Sequence, residues 1–551
     1  MRTKIILILI ICFGAFLRFF NLSTNPPSLN WDEASLGYNA WTLLNYGTDE
    51  YGNSWPFSIR SFNDYKPPLY TYLTIIPVAL FGLTEFATRF ISALLGTATI
   101  FIVYLFSKQL SIAQKFKSLP IVAALLFAIA PWSLQFSRGA FEGNIAVFFT
   151  ATSMYLLLRW LNQQTPQIQY LLGSTLFAVG ALYAYHAPRV VIPLIAIFIF
   201  FRYFNRFIKY RWQTFISVVL AITLLIPVLV ITFRGSTAAR ASAVSIFNTK
   251  YLDSGTRERE AALKSEDSFL SLLYDERLQY LRLFLKGYFD HYAIAPMFIY
   301  GDVVDRHHAP DMGQFYFVEL PFMLLGLVIL AVQKYQGKFL FWSWWLIAPI
   351  PAALASGTPH AIRSILILPL PQIATTVGLL FAYQYFSQTS TLRKVLTPSV
   401  SKITFSTLVF AIFIANFTYY IIQYHLHQQL EKAFYWQYGY KELVQYFKDI
   451  YPQYEKAVVT TSFDQPYIFF LFYEKYGLEN GVNPGDFNKY YKNITFQPVD
   501  YLKLRQEHDI VIVGAYDEIP PGEPIELKKI YFPDGTVAFR IIMRPKLPTT
   551  E

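Results

Sequence analysis

The sequence predicts a polytopic α-helical membrane protein with a small C-terminal α/β domain. Three observations predict it: a composition dominated by apolar and aromatic residues, charge-poor runs near the length of a bilayer crossing, and basic residues in every second short loop. Of the 551 residues 54% are hydrophobic and 15% charged, with a mean hydropathy of +0.33. That balance lies outside the range of soluble globular chains, so lipid is the expected solvent. The 40 Tyr and 51 Phe suit a chain with many bilayer interfaces.

About eleven apolar runs approach the roughly 20 residues a spanning helix needs. They lie near residues 4–20, 87–107, 119–136, 144–158, 170–187, 190–205, 212–233, 315–333, 339–355, 364–385 and 403–424. The first follows Met1-Arg2-Thr3-Lys4 and resembles a signal peptide. It lacks a small-residue cleavage site, and similar runs follow, so a retained first helix is expected.

With the N-terminus inside, the inner loops hold Lys108, Lys115 and Lys117, then Arg159, then Arg202, Arg206, Lys209 and Arg211, then Lys334 and Lys338, then Arg393, Lys394 and Lys402. Every inner loop is then basic, as the positive-inside rule requires. The expected location is the plasma membrane, with the C-terminal segment extracytoplasmic.

Two outer stretches are long, about 21–86 and 234–314. In the first, Pro68 to Leu83 is apolar but short and carries Pro77, which predicts an interfacial or re-entrant juxtamembrane helix. The second holds a mixed-charge run and then Phe269 to Tyr288. There Leu273, Leu278, Leu281 and Leu285 alternate with Arg277, Arg282 and Lys286 at helical spacing, which predicts a helix on the membrane surface.

Past residue 424 the composition becomes that of a soluble domain. Lys441 to Tyr451 reads as helix, Ala457 to Ser462 and Asp509 to Val513 as strands. Pro533-Asp534-Gly535-Thr536 reads as the turn of a hairpin. The expected organisation is a membrane domain over 1–424 and an extracytoplasmic α/β domain over 425–551.

A net charge of +10 suits anionic headgroups, and no segment interleaves basic and aromatic residues as a soluble nucleic-acid-binding face does. Nucleic acid is not an expected partner. The single cysteine, Cys12, excludes an intrachain disulfide and a multi-thiolate metal site, and is read as a packing residue.

With this topology the unusual polar groups converge on the outer face. Asp32 and Glu33 follow the first span; Lys66 precedes Pro67-Pro68; Arg138, Glu142 and Asn144 lie at the next outer turn; His186 and Arg189, then His360 and Arg363, lie at later ones. Ionisable groups at span ends are costly unless paired or hydrated, which makes them functional candidates. Snorkelling is the competing reading for Arg189 and Arg363. It is weak for Asp32-Glu33, because carboxylates are short and these directly follow Trp31. A carboxylate beside cations suits transfer of a group from a phosphate to a hydroxyl or amine: the carboxylate takes the nucleophile's proton, and Lys or Arg neutralises the phosphate. The backbone presenting Lys66 is stiffened by the two prolines.

Asn30-Trp31-Asp32-Glu33, then Asp64-Tyr65-Lys66-Pro67-Pro68-Leu69-Tyr70, then Gly82-Leu83-Thr84-Glu85-Phe86-Ala87-Thr88-Arg89-Phe90 resemble the opening of the protein O-mannosyltransferase and aminoarabinose transferase group, glycosyltransferase family 39 and its bacterial relatives in the GT-C superfamily. Ser137-Arg138-Gly139-Ala140-Phe141-Glu142-Gly143-Asn144, Tyr185-His186-Ala187-Pro188-Arg189 and Pro359-His360-Ala361-Ile362-Arg363 are similar to segments of prokaryotic members. The likeness covers residues 1 to about 390.

The resemblance implies a GT-C fold, a polyprenyl-phosphate-linked monosaccharide as donor, and a lipid, glycan or protein acceptor at the outer face. It implies Asp32 as catalytic base or acceptor-binding carboxylate supported by Glu33, and Lys66 near the lipid phosphate. Arg138, as a second phosphate ligand, and Glu142 carry over with their segment, while Asn144, His186, Arg189, His360 and Arg363 are candidate substrate contacts by their place at the outer face. No cofactor is required, although some relatives bind a divalent metal at the first-loop carboxylate, here Asp32. The soluble repeats of eukaryotic protein mannosyltransferases are missing, so a protein acceptor is not specifically implied. The Trp-Trp-Asp signature of oligosaccharyltransferases is missing too, since Leu346 follows Trp344-Trp345.

His307-His308, with Asp302, Asp305 and Asp311 nearby, reads as a metal site, an acceptor contact or a solvated loop. Asn493-Ile494-Thr495 matches a glycosylation pattern too common by chance to carry weight. The competing function is a transporter or flippase of a lipid-linked or anionic substrate, since buried charges also line transport pathways. Charges gathered at one face, without matching halves, favour transfer. A non-enzymatic assembly protein would leave Asp32-Glu33 and Lys66 without a purpose.

Overall fold

The computed structural model describes residues 2–62, 64–233, 245–247, 260–261, 264, 275–388, 398–475, 493–522 and 525–546. The mixed-charge run after residue 247 and the inner-loop cations Arg393 and Lys394 lie largely or wholly outside them. So do residues 269–274 of the expected surface helix. The chain falls into two compact units. The first comprises Met1–Arg18, Ser92–Ser137 and Phe141–Ile421, the second Phe19–Ile91, Arg138–Ala140 and Ile422–Glu551. The first outer stretch therefore groups with the C-terminal sheet, where the composition shift at 424 pointed to a boundary between them.

The first unit is helical. Among the described residues four helices are long and apolar enough to cross a membrane: Glu85–Gln109, Glu142–Asn162, Arg211–Val228 and Val400–Glu431. The count rises to six if the bent pairs Leu119–Ile129 with Pro131–Arg138, and Ala361–Ile367 with Leu370–Phe386, are each one span, with bends of 53° and 57°. Each of the eleven expected runs contains helix, but several of these helices are broken or shorter than a straight crossing. Residues 339–355 divide into Lys338–Ile347 and Ile350–Ala353 around Pro349, and the run from 315 forms Glu319–Val332. Proline removes a helical donor and clashes with the preceding turn, which is why the division falls there.

On Arg211–Val228 and Val400–Glu431 only 11% of the most apolar window is buried. Phe215, Ile222, Leu408 and Phe410 point outward, as lipid-facing side chains do. Helices Glu319–Val332 and Leu370–Gln388 meet backbone to backbone. A Cβ on Gly326 would strike the Ala374 carbonyl, and one on Gly378 the Phe322 carbonyl. Small residues at such crossings permit the close packing on which helix association in lipid relies. Glu276–Asp290 carries the exposed apolar stripe Leu278, Leu281, Leu285 and Phe289.

The second unit is built from two long, distant stretches of chain and the short segment Arg138–Ala140. Helices α1 (Arg2–Phe19), α2 (Trp31–Tyr46), α3 (Leu69–Phe81) and α4 (Glu85–Gln109) open the sequence, and α1 and α4 continue from this unit into the other. Between α2 and α3 lies the hairpin β1 (Ile59–Ser61) and β2 (Asp64–Lys66). At thirteen residues, α3 is about 20 Å long, well short of a bilayer crossing, and it exposes Ile76, Leu80 and Phe81.

The sheet contains β3 (Lys456–Val459), β4 (Ile494–Phe496), β5 (Ile510–Ala515), β6 (Glu526–Tyr531) and β7 (Val537–Arg544), in the order β4-β3-β5-β7-β6. The first three are parallel, and β7 is antiparallel to both β5 and β6. The β6–β7 turn has Gly535 at φ 86°, with Phe532 N donating to Thr536 O at 2.8 Å, so the hairpin forms at the expected residues.

One apolar core joins Leu29, Ala34, Tyr38 and Leu83 to Tyr440, Phe469, Phe472, Val513 and Phe539. Gly37 of α2 faces this contact. A Cβ there would collide with Thr88 and lie 2.8 Å from the Phe472 ring.

Gly37→Val is therefore expected to destabilise the second unit by about 1–3 kcal/mol, the usual cost of overpacking. Thermal unfolding of the full chain in detergent checks this; an unchanged midpoint contradicts the close approach.

Candidate active site

The start of α2 positions two carboxylates with different fates. Asn30 caps the helix: its Oδ1 accepts from Asp32 N at 2.9 Å and Glu33 N at 3.2 Å, and its own N–H donates to Glu33 Oε2 at 3.1 Å. This capping box, with acidic side chains in the first turn, suits the positive end of the helix dipole. Trp31 N donates to Gln437 Oε1 at 2.7 Å, tying the same turn to the C-terminal stretch.

Glu33 turns inward and is 1% exposed. Arg89 Nε donates to its Oε1 at 2.9 Å and Nη2 to its Oε2 at 3.0 Å, while Ala140 N adds a bond to Oε1 at 2.8 Å. The guanidinium also donates to the carbonyls of Leu22 (3.1 Å), Pro26 (2.9 Å) and Ser28. All five of its donors are thereby used. A buried ion pair holds only when such bonds replace water, and here they do. Glu33 therefore anchors the loop and helix start, and its oxygens are committed.

Asp32 turns the other way and pairs with Lys66 at the end of β2. The exposures are unequal: the Lys66 side chain is 6% exposed and the Asp32 side chain 41%. The cation is sealed in, with Phe62 5.9 Å away, while the carboxylate retains an open side. Hairpin pairing of Ile59 with Lys66, followed by Pro67-Pro68, fixes the backbone that presents the lysine.

Glu50, which sequence reasoning missed, lies near Lys66. It is fully buried, and among the described residues neither carboxylate oxygen has a hydrogen-bond partner. Its N–H donates to Asn39 Oδ1 at 2.8 Å. Burial, helped by neighbouring Asp49 and opposed by Lys66, pushes its carboxyl up to about 8. Burial also raises Asp49, against its bonds to Asn53.

Arg138, expected at the phosphate, is 1% exposed. Its Nε donates to Tyr424 Oη at 3.0 Å and its Nη2 to Asn25 O at 2.9 Å. The remaining expected residues belong to the other unit. Glu142 starts its helix, and Asn144 packs against Ser92, donating to its carbonyl at 2.9 Å. His186 sits in the turn after Ile168–Ala184; Arg189 donates to Leu182 O at 3.2 Å, and Arg363 to Ser356 O at 2.7 Å. His308 Nδ1 donates to Ala309 O at 2.9 Å.

Asp302, His307 and His360 come together, each offering a ligand atom within 4.8 Å of the others. Among the described residues Asp32 belongs to no such group, and its near partner is a lysine. Among the described residues the group able to hold a metal is Asp302, His307 and His360. Burial works to raise the Asp302 carboxyl, but His307 and the Ala361 amide outweigh it and hold it down at about 2. Burial, with His307 and Arg363, lowers His360 to about 2.

These features fall within a known architecture: the chain shares its fold with ArnT and with an archaeal oligosaccharyltransferase. Residues 65–231, beginning one position before Lys66, match the family described as dolichyl-phosphate-mannose-protein mannosyltransferase. ArnT from Cupriavidus metallidurans in the apo state is similar over 98% of both chains, at 10% identity and a TM-score of 0.54. The same protein bound to undecaprenyl phosphate is similar over 97% of both, at 11% and 0.51. The Archaeoglobus fulgidus oligosaccharyltransferase in complex with zinc and sulfate is similar over 99% of this chain and 74% of its own, at 14% and 0.50. No curated protein sequence matches the chain.

Two outcomes follow. Arg89→Ala leaves Glu33 buried without its cation and is expected to cost about 3–5 kcal/mol of stability; chemical unfolding checks it, and a loss under about 1 kcal/mol contradicts the anchoring role. Glu50 is held neutral by the fold, so it binds its proton in the folded state up to a higher pH than in the unfolded chain. Its contribution is complete below the ordinary carboxylate range and is lost as pH rises through about 8. Glu50→Gln should raise the melting temperature at pH 9 more than at pH 5. Equal shifts at both pH values contradict this.

Proposed function

We propose that this chain transfers a monosaccharide, hexose or pentose, from a polyprenyl-phosphate donor to an acceptor at the extracytoplasmic face of the plasma membrane. The observation that carries this reading is the Asp32–Lys66 pair, a half-open carboxylate against a buried ammonium. The fold shared with ArnT, which has been seen bound to undecaprenyl phosphate, and the family match that includes Lys66 support the class of donor.

In the proposed reaction the donor phosphate competes with Asp32 for Lys66. Lys66 turns to the phosphate oxygens and neutralises the charge that grows on them as the bond from sugar carbon to phosphate oxygen breaks. Asp32, relieved of its cation, takes the proton of the acceptor hydroxyl or amine as that group forms the new bond to the anomeric carbon. The products are the glycosylated acceptor and polyprenyl phosphate. Glu33 acts as a positioning residue, holding the first turn of α2 through Arg89. Arg138, bonded to Tyr424 and Asn25, fits a supporting role around the same loop. Glu142, Asn144, His186, Arg189, His307, His308, His360 and Arg363 are proposed as the pool from which further substrate contacts come. The N-terminus is assigned to the inner side and the C-terminal sheet to the outer side, from the basic inner loops.

The test supplies the purified chain with polyprenyl-phosphate monosaccharides labelled in the sugar, with membranes of its own source as acceptor, and follows polyprenyl phosphate release and labelled product. Wild type should turn over at least one donor. Asp32→Asn should lose at least about 10²-fold in rate, the lower range for a general base. Wild-type rates in Asp32→Asn and Lys66→Ala, or movement of label across the bilayer without glycosidic product, would overturn the reading.

A further inference from the structure

The first unit contains a second cluster of groups, to which the proposed transfer assigns no proton or phosphate step. Asp302 and His307 belong to the loop after the π-helical turn Pro296–Tyr300, and His360 directly precedes the short helix Ala361–Ser364. The two loops are 53 residues apart in sequence at their closest cluster members, His307 and His360. Their imidazole rings nonetheless lie 5.0 Å apart, centroid to centroid, with 54° between the planes. His307 Nδ1 is 2.7 Å from Asp302 Oδ2.

We propose that Asp302, His307 and His360 bind one divalent transition-metal ion of the zinc class, which ties these two loops together. Two imidazoles and one carboxylate form a nitrogen-rich donor set that suits zinc and its neighbours and is a poor match for magnesium or calcium, which take oxygen ligands. Tetrahedral zinc with bonds of about 2.0–2.2 Å sets its ligands about 3.3–3.6 Å apart. The three ligand atoms, all within 4.8 Å of one another, reach that spacing by small side-chain shifts. Three protein ligands leave a fourth position for water.

A second observation points into the same place. His360 Nδ1 is buried, and among the described residues it has no hydrogen-bond partner. A buried nitrogen left without a bond costs free energy that a metal–ligand bond removes. The surrounding groups fix the ligands as outer partners of metal sites do. Ala361 N donates to Asp302 Oδ2 at 2.6 Å, and Val304 N to Asp302 Oδ1 at 3.0 Å. His360 N donates to His291 Nε2 at 3.1 Å, while Phe136 and Phe141 pack their rings 5.2 and 6.0 Å from His307. His308, the other half of the histidine pair, is bonded to the Ala309 carbonyl and is not a ligand.

The test uses the full chain in detergent, stripped with chelator and titrated with zinc chloride, then separately with cobalt chloride. Wild type should take up about one zinc per chain, gain melting temperature, and show the visible absorption of low-symmetry cobalt(II). His360→Ala and Asp302→Asn should each weaken zinc binding at least 10-fold and lose the zinc-dependent gain in melting temperature. His308→Ala should bind as wild type does. Melting of each variant in chelator shows whether it is folded before the titration, and His307→Gln replaces any that is not. The proposal is overturned if stripped wild type takes up no stoichiometric zinc, if magnesium or calcium binds as tightly as zinc, or if folded His360→Ala binds zinc as wild type does.

Discussion

The geometry of the candidate active site depends on one buried ion pair, Glu33 with Arg89. Its partners are both removed from water, which costs several kcal/mol per ion unless every donor and lone pair finds a substitute. Here the guanidinium meets the carboxylate twice and three loop carbonyls besides, and the carboxylate also receives the Asn30 and Ala140 amides. The result is a fixed entry into α2. Because successive helical residues point about 100° apart, the carboxylate before Glu33 is directed elsewhere. Asp32 is held on the helix that Glu33 anchors, yet it remains half open.

This division of labour between adjacent carboxylates explains how a charged pair can be both costly and useful. Glu33 has no oxygen to spare for a reactant. Asp32 is paired with Lys66, which is itself shielded from water. In the proposed transfer a lipid phosphate supplies what the lysine would otherwise lack, and the carboxylate regains its proton affinity for the acceptor. Glu50, buried near Lys66 and with neither oxygen hydrogen-bonded among the described residues, adds a latent negative charge that the surroundings suppress.

Asp32, Lys66 and the helical, apolar character of the chain were legible because each leaves a local mark: charge beside an apolar run, proline after lysine, runs of low polarity. The separate roles of Asp32 and Glu33 were not, since neighbouring carboxylates look alike until a partner from α4 selects one. Arg89 had a signal, a cation within an apolar run, that passed unused among the motif residues around it. Glu50 gave none, for the tyrosines its charge reaches, Tyr38, Tyr51 and Tyr467, are scattered over more than 400 residues. The same holds for the core that joins Ala34 and Tyr38 to Phe469 and Phe539, which places the first outer stretch and the C-terminal sheet in one compact unit. A composition profile sees a boundary at 424 but cannot see which earlier segment completes the fold beyond it. Helix lengths failed for a simpler reason: hydropathy runs continue where the backbone breaks, as at Pro349 between Lys338–Ile347 and Ile350–Ala353.

The central claim is that Lys66 exchanges Asp32 for a lipid phosphate. Equilibrium binding of polyprenyl phosphate to the purified chain, measured for wild type, Lys66→Ala and Asp32→Asn, tests it most directly. The account predicts at least about 10-fold weaker binding in Lys66→Ala, matching loss of a charge-assisted bond, and equal or tighter binding in Asp32→Asn, where the competitor is gone. Binding that is indifferent to Lys66, or that collapses on loss of the Asp32 charge alone, would contradict it.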